Sequence, residues 1–170
     1  MENLKSVVEA LLFANGEPLS VGELKNVIEG AAPQEIQTAV DELRREYADG
    51  SRAMTIEEVA GGYQFLTKPE HNEKVALLRK IKGATRLSTA AVETLAIVAY
   101  RQPIKRADIE SIRGVQSGPL LRALMDRGLV RITGREDVPG SPLLYGTTPK
   151  FLETFGLRSL NDLPKPEEMK

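Results

Sequence analysis

The sequence predicts a mainly α protein with short β-hairpins, an α+β fold built as two tandem winged-helix domains. Three observations carry that prediction. Segments with apolar residues at helical spacing are interrupted by two short hairpin-like stretches. The order helix, helix, helix, hairpin, helix occurs twice along the 170 residues. Short matches also recur at a nearly constant offset. "VEALLFA" at Val8–Ala14 lies over "VETLAIV" at Val92–Val98, a shift of 84. Pro18–Leu19 lies over Pro103–Ile104 and Glu23–Leu24 over Asp108–Ile109, a shift of 85, and Thr67–Pro69 over Thr147–Pro149, a shift of 80.

Each element has a local cause. Leu4, Val7, Val8, Leu11 and Leu12 line one side of a first helix that "NGEP" ends. Ser20 with Glu23 forms a capping-box signature ahead of Leu24, Val27 and Ile28, and Gly30 stops that second helix. Pro33 suits the first position of a third helix faced by Ile36, Val40 and Leu43. "MTIEEVAGGYQFLTK" reads as strand, Gly-Gly turn, strand, and "PEHNEKVALLRKI" returns to helix. In the second half Ser88 caps "LSTAAVETLAIVAY", "KRADIESIRG" is a short helix closed by Gly114, and "SGPLLRALMDRG" is a third closed by Gly128. Leu129–Thr133 and Leu143–Gly146 form a second hairpin, and Thr148–Pro149 opens a last helix. The expected domains are residues 1–80 and 81–157, joined near Lys80–Leu87, with 158–170 a mobile tail.

Composition narrows the class. Hydrophobic residues make up 41% and charged residues 28%, with no cysteine. No apolar run approaches the ~18 residues that span a bilayer. The acid-containing start "MENLKSVVEALLF" does not read as a signal peptide, so the cytoplasm is the expected compartment. Residues 1–80 hold 9 basic and 14 acidic side chains, and residues 81–170 hold 14 and 10. Neither half has the basic density of a strong phosphate binder.

Chemistry-bearing patterns are scarce, and the expectation is no catalytic residue, no cofactor and no metal. The one histidine, His71, sits in polar "PEHNEK". No nucleotide-binding glycine motif or metal-ligand spacing occurs. Glu57–Glu58 read as strand surface and Glu136–Asp137 as a solvated tip of the second hairpin. As a DNA reader the chain is poor. The third helix of the first half carries Glu35, Asp41, Glu42 and Glu46. The third helix of the second half offers Gln116, Arg122 and Arg127 beside Asp126. Weak DNA contact would fall to Arg101, Lys105, Arg106 and Arg113, which otherwise form a solvated helix face. What stands out is an apolar surplus. Leu120, Leu121, Leu124 and Met125 cover a wide arc of a short helix, and Tyr145, Phe151 and Phe155 are large for a small domain. A shallow groove accepting a partner helix is a physical possibility.

Two long stretches carry a resemblance. "LSTAAVETLAIVAYRQPIKRADIESIRGV" and "LVRITGREDVPGSPLLYGTTPKFLETFGL" closely resemble the segregation and condensation protein B (ScpB) family. The likeness is strong over Leu87–Pro164 and looser before it, where it rests on element order. It implies a kite-type subunit of the SMC condensin complex that acts in chromosome condensation and partition. Such a subunit is a non-enzymatic, nucleoid-associated scaffold with two winged-helix domains. The resemblance also implies a homodimer formed mainly by the first domain. The second domain would bind the kleisin ScpA, and through it SMC, with weak or indirect DNA contact. The alternative is a dimeric winged-helix DNA-binding transcription regulator. Tyr100, Ile104, Leu120, Tyr145 and Phe151 are the candidate partner-binding residues. One departure is visible: Lys105 stands where the family commonly has Thr, which leaves the helix starting there without an N-cap hydroxyl.

Overall fold

A computed structural model describes residues 3–81 and 86–165. The chain divides into two compact units, one of residues 1–84 with 156–170 and one of residues 85–155. Half of the expected Lys80–Leu87 junction, residues 82–85, lies outside the described residues.

In the first unit, α1 (Leu4–Asn15), α2 (Val21–Val27) and α3 (Pro33–Ala48) precede a hairpin of β1 (Met54–Val59) and β2 (Gly62–Thr67). A 3-10 turn, Pro69–His71, leads into α4 (Asn72–Ile81). The helix ends follow the local signals. Ser20 accepts from the Glu23 amide while the Glu23 carboxylate accepts from the Ser20 amide, a closed capping box. Pro33 opens α3, and Gly16 ends α1 with a φ of 67°. Val8, Leu12, Leu24, Ile36, Val40, Leu43 and Ile56 form the core, and Tyr47 stacks edge-on against Phe65 at 4.8 Å.

The hairpin turn differs from the expected Gly-Gly. Ala60 and Gly61 occupy the two turn positions, with φ of 50° and 78°, and Gly62 is already in β2, opposite Val59. The reason lies outside the hairpin. Leu19 bridges to Tyr63 through Leu19 N–H to Tyr63 O (2.9 Å) and Tyr63 N–H to Leu19 O (2.8 Å). A Cβ at position 62 would come within 2.8 Å of the Leu19 carbonyl carbon. Gly62 is therefore used for close backbone approach, and Ala60 takes the left-handed conformation instead.

Residues 158–165, the described part of the expected tail, hold a 3-10 turn at Leu160–Asp162 and an Arg158–Asp162 ion pair of 2.9 Å. Just before them, Leu157 O accepts from the Ala60 amide at 2.9 Å.

In the second unit, α5 (Thr89–Arg101) is followed by β3 (Ile104–Lys105), α6 (Arg106–Arg113) and α7 (Gly118–Asp126). The hairpin of β4 (Val130–Arg135) and β5 (Leu143–Thr147) then leads to α8 (Pro149–Phe155). Three antiparallel strands in the order β3-β5-β4 complete a winged helix. Ser88 caps α5, Gly114 ends α6 with a φ of 70°, and Thr148 caps α8. The "QPI" and "LYGTT" stretches prove to be one fastening. The Gln102 carboxamide oxygen accepts from the Thr147 amide at 2.8 Å, and its NH2 donates to the Thr147 hydroxyl at 3.0 Å. Gly146 makes room for it, since a Cβ there would sit 2.9 Å from that oxygen.

The repeat is real in topology but not in the register of its best sequence match. Under the shift of 84, Val92 falls on Val8, yet Val8 is fully buried and Val92 is 45% exposed. Burial superposes Leu95 and Ala99 on Val8 and Leu12, a shift of 87. The two extra residues between Leu12 and Leu19, compared with Ala99 to Ile104, then restore the shift of 85 at the first strand. Helical register follows which side meets the core, not letter identity.

Candidate partner-binding groove

α7 sets up the site. Its start is short of caps: Ser117 at the N-cap makes no side-chain capping bond, and Pro119 lies in the first turn. Glu110 on α6 supplies the missing acceptor. One carboxylate oxygen accepts the Ser117 amide at 2.8 Å and Arg106 Nε at 2.7 Å. The Ser117 amide first, then Arg106, holds the Glu110 carboxyl below the usual carboxylate range. Arg113 braces the same turn. Its side chain is only 9% accessible and donates to the Ser117 hydroxyl and to Glu93.

With its start fixed this way, α7 buries Leu121 and Leu124. Its next face opens over β5 as a groove of about 410 Å³. Pro119, Leu121, Ala123, Met125 and Tyr145 give it apolar walls, and Arg106, Arg122 and Asp126 ring it with charge. Apolar walls with a few polar groups at the edge are the usual make-up of a binding concavity.

The five candidate residues are only partly brought together. Tyr145 lines the groove and pairs across the sheet with Ile104. Ile104, Tyr145 and Phe151 are all buried in this unit, Phe151 against Phe155 at 5.0 Å. Leu120 is half-buried on α7, one position from the groove wall. Tyr100 is exposed on α5 in line with Val92 and Ala96, at i, i+4, i+8 spacing. Met125, Pro119 and Ala123 were missed as individual contributors. The "GPLLRALM" stretch signalled an apolar surplus, but only the placement of β5 shows which side of the helix stays open.

The basic residues fall differently from the expected solvated face. Lys105 pairs with Glu136 at 2.8 Å and Asp108 at 3.8 Å, Arg106 with Glu110, and half-buried Arg113 with Glu93. Of the four, Arg101 alone is exposed without a described ion pair. Glu136 is likewise not a solvated tip. It is half-buried and tied to Lys105, raising that lysine's pKa together with Asp108. Lys105 thus lacks the capping hydroxyl, as expected, yet α6 still begins at Arg106. Among the described residues no group of three or more His, Cys, Asp or Glu side chains is placed to hold a metal, and no helix is long and apolar enough to cross a membrane.

Comparison with known proteins adds the family. The family described as "Segregation and condensation complex subunit ScpB" matches residues 6–166. Segregation and condensation protein B of Syntrophotalea carbinolica is 50% identical over 165 residues, covering 97% of this chain and 83% of that one. The protein of the same name from Moorella thermoacetica is 48% identical, covering 99% and 85%. The crystal structure of ScpB from Mycobacterium tuberculosis is 30% identical over 91% of this chain and 95% of that one, with a TM-score of 0.43. A dimer of the ScpB N-terminal domain complexed with ScpA peptide is 30% identical over 46% of this chain and 93% of that one, also at 0.43. Those superpositions are loose, so the assignment rests on the sequence matches, which span both units. On that ground the chain belongs to the ScpB family, subunits of the segregation and condensation complex.

Proposed function

We propose that this chain is a non-enzymatic scaffold of the SMC–kleisin complex in chromosome condensation and segregation. It acts as a homodimer in the cytoplasm, joined to the nucleoid through the complex. The first unit makes the dimer, where Phe13 is 67% exposed and Leu77 and Leu78 of α4 are also uncovered. The second unit binds a segment of the kleisin ScpA, and through it SMC. The α7 groove, about 410 Å³ with Tyr145 in its wall, carries this reading.

The five candidate residues then divide by role. Tyr145 and Leu120 lie in or beside the groove. Tyr100 extends the contact along α5. Ile104 backs the Tyr145 wall from the next strand, and Phe151 belongs to the core of the unit. A few anchors should dominate the affinity, since truncating large aromatic groups at interface centres has the largest effects. A transcription regulator is the weaker reading, because Lys105, Arg106 and Arg113 are all engaged with carboxylates.

The test is Tyr100→Ala and Tyr145→Ala in the full chain, each measured for ScpA affinity and thermal unfolding. A loss of about tenfold or more, ~1.4 kcal/mol, at unchanged Tm supports the groove. Binding that falls only as folding falls, in both variants, contradicts it. Light scattering should find a dimer that Leu77→Glu with Leu78→Glu dissociates; a parent monomer would refute the dimer.

A further inference from the structure

We propose that the outer edge of β4 receives an extended acidic segment of a partner protein, added as a fourth strand to the β3-β5-β4 sheet. This is a second surface, and it goes beyond the groove reading. β4 is the last strand of its sheet, so one side of its backbone has no ladder partner among the described residues. It is six residues long, and Arg131, Ile132 and Thr133 are all exposed. Ile132 pairs with buried Tyr145, which puts it on the core side of the sheet, yet it is 48% exposed. It offers apolar area beside open backbone groups, the combination that strand addition uses.

Charge selects the occupant. Most acids of this unit pair within it: Glu93 with Arg113, Glu110 with Arg106, Asp108 and Glu136 with Lys105, and Glu153 with Lys150. Arg131 and Arg135 donate instead to backbone carbonyls, of Thr147 at 3.4 Å and Ser141 at 3.0 Å. A carbonyl is neutral and leaves the guanidinium charge uncompensated. A bulge at Thr133, between Ile132 and Gly134, turns Arg131 and Arg135 to opposite faces of the sheet, so an added strand meets one arginine on each face. A second copy of β4 would bring only further arginines to this edge and no acid to meet them. A strand with acids flanking an apolar centre meets both arginines and covers Ile132. Duplex DNA would satisfy the arginines only. It offers no ladder groups to the backbone.

The experiment uses the isotope-labelled full chain and a capped Glu-Glu-Val-Val-Glu-Glu peptide. The expected result is amide shifts centred on Val130–Arg135, with slowed hydrogen exchange there. The lysine counterpart of the peptide, a form N-methylated at alternate amides, and the Arg131→Gln, Arg135→Gln double variant should each bind about tenfold more weakly or worse. No shifts at β4 at millimolar peptide, shifts centred on α7 instead, or equal binding of the N-methylated form would each overturn the proposal. So would a short duplex that perturbs β4 where the peptide does not.

Discussion

The third helices of the two units share a place in the fold and differ in use. α3 has 16 residues and sinks five of them, Ile36, Ala39, Val40, Leu43 and Tyr47, into its core. α7 has 9 and sinks two. In the first unit the long helix is consumed by folding. In the second, a short helix is held at its start by a neighbour's carboxylate, and Pro119, Ala123 and Met125 face a groove. A small winged helix can thus use its third helix to build stability or to display surface, and the choice follows from its length and from what fastens its first turn.

Core truncation should give the largest effects and show the two units to be separately vulnerable. Leu43→Ala and Leu124→Ala each remove a fully buried side chain and should cost about 2–5 kcal/mol. Residue-resolved hydrogen exchange should locate each loss in the unit that carries the substitution. Equal loss of protection in both units for either variant would mean one cooperative core.

Next come glycines with and without neighbours. Gly62→Ala must push against the Leu19 backbone and should cost about 1–3 kcal/mol by thermal unfolding. Gly134→Ala on β4 has open space around it and should change stability by no more than about 0.5 kcal/mol. If the two behave alike, the Leu19–Tyr63 bridge is not what demands a glycine at position 62.

A smaller effect separates the two ways of capping. In the first unit Ser20→Ala breaks a self-contained box and should cost about 0.5–2 kcal/mol. In the second, Glu110→Gln weakens the hold on α7 from outside. Because folding lowers the Glu110 pKa, its contribution is complete above the ordinary carboxylate range. It is lost as pH falls through the lower folded value. Acid titration of the parent should therefore loosen the start of α7, and Glu110→Gln should remove that part of the pH dependence. An unchanged titration in the variant would assign it elsewhere.

The smallest effect concerns Lys105→Thr, which restores a capping hydroxyl and gives up the ion pair with Glu136. The expected outcome is a steadier α6 with faster amide exchange over residues 136–142. Slower exchange there would show that Lys105 does not restrain the hairpin.

Element order and most caps were legible in the sequence because their causes are local. Ser20 with Glu23, Pro33, Ser88, Gly114, Gly128 and Thr148 act within a few residues of themselves. What stayed hidden depends on distant partners. Gly62 answers to Leu19, Glu136 to Lys105, and the Ser117 amide to Glu110, none of which a neighbouring letter reveals. The "VEALLFA" and "VETLAIV" match misled on register because the two helices turn different sides to their cores. For the groove, the apolar content of α7 was readable, but its open side was not. Large apolar residues pointed equally to core, as at Ile104 and Phe151, and to surface, as at Tyr100.

The contrast between the third helices is tested most directly by ScpA affinity for two matched variants of the full chain. Met125→Glu places a charge in the α7 groove, and Thr38→Glu places one on the exposed side of α3. With Tm and dimerisation unchanged in both, Met125→Glu should weaken ScpA binding by about tenfold or more, ~1.4 kcal/mol, and Thr38→Glu should leave it as in the parent. Parent-like binding by Met125→Glu, or a loss confined to Thr38→Glu, would contradict the assignment of the groove to the kleisin.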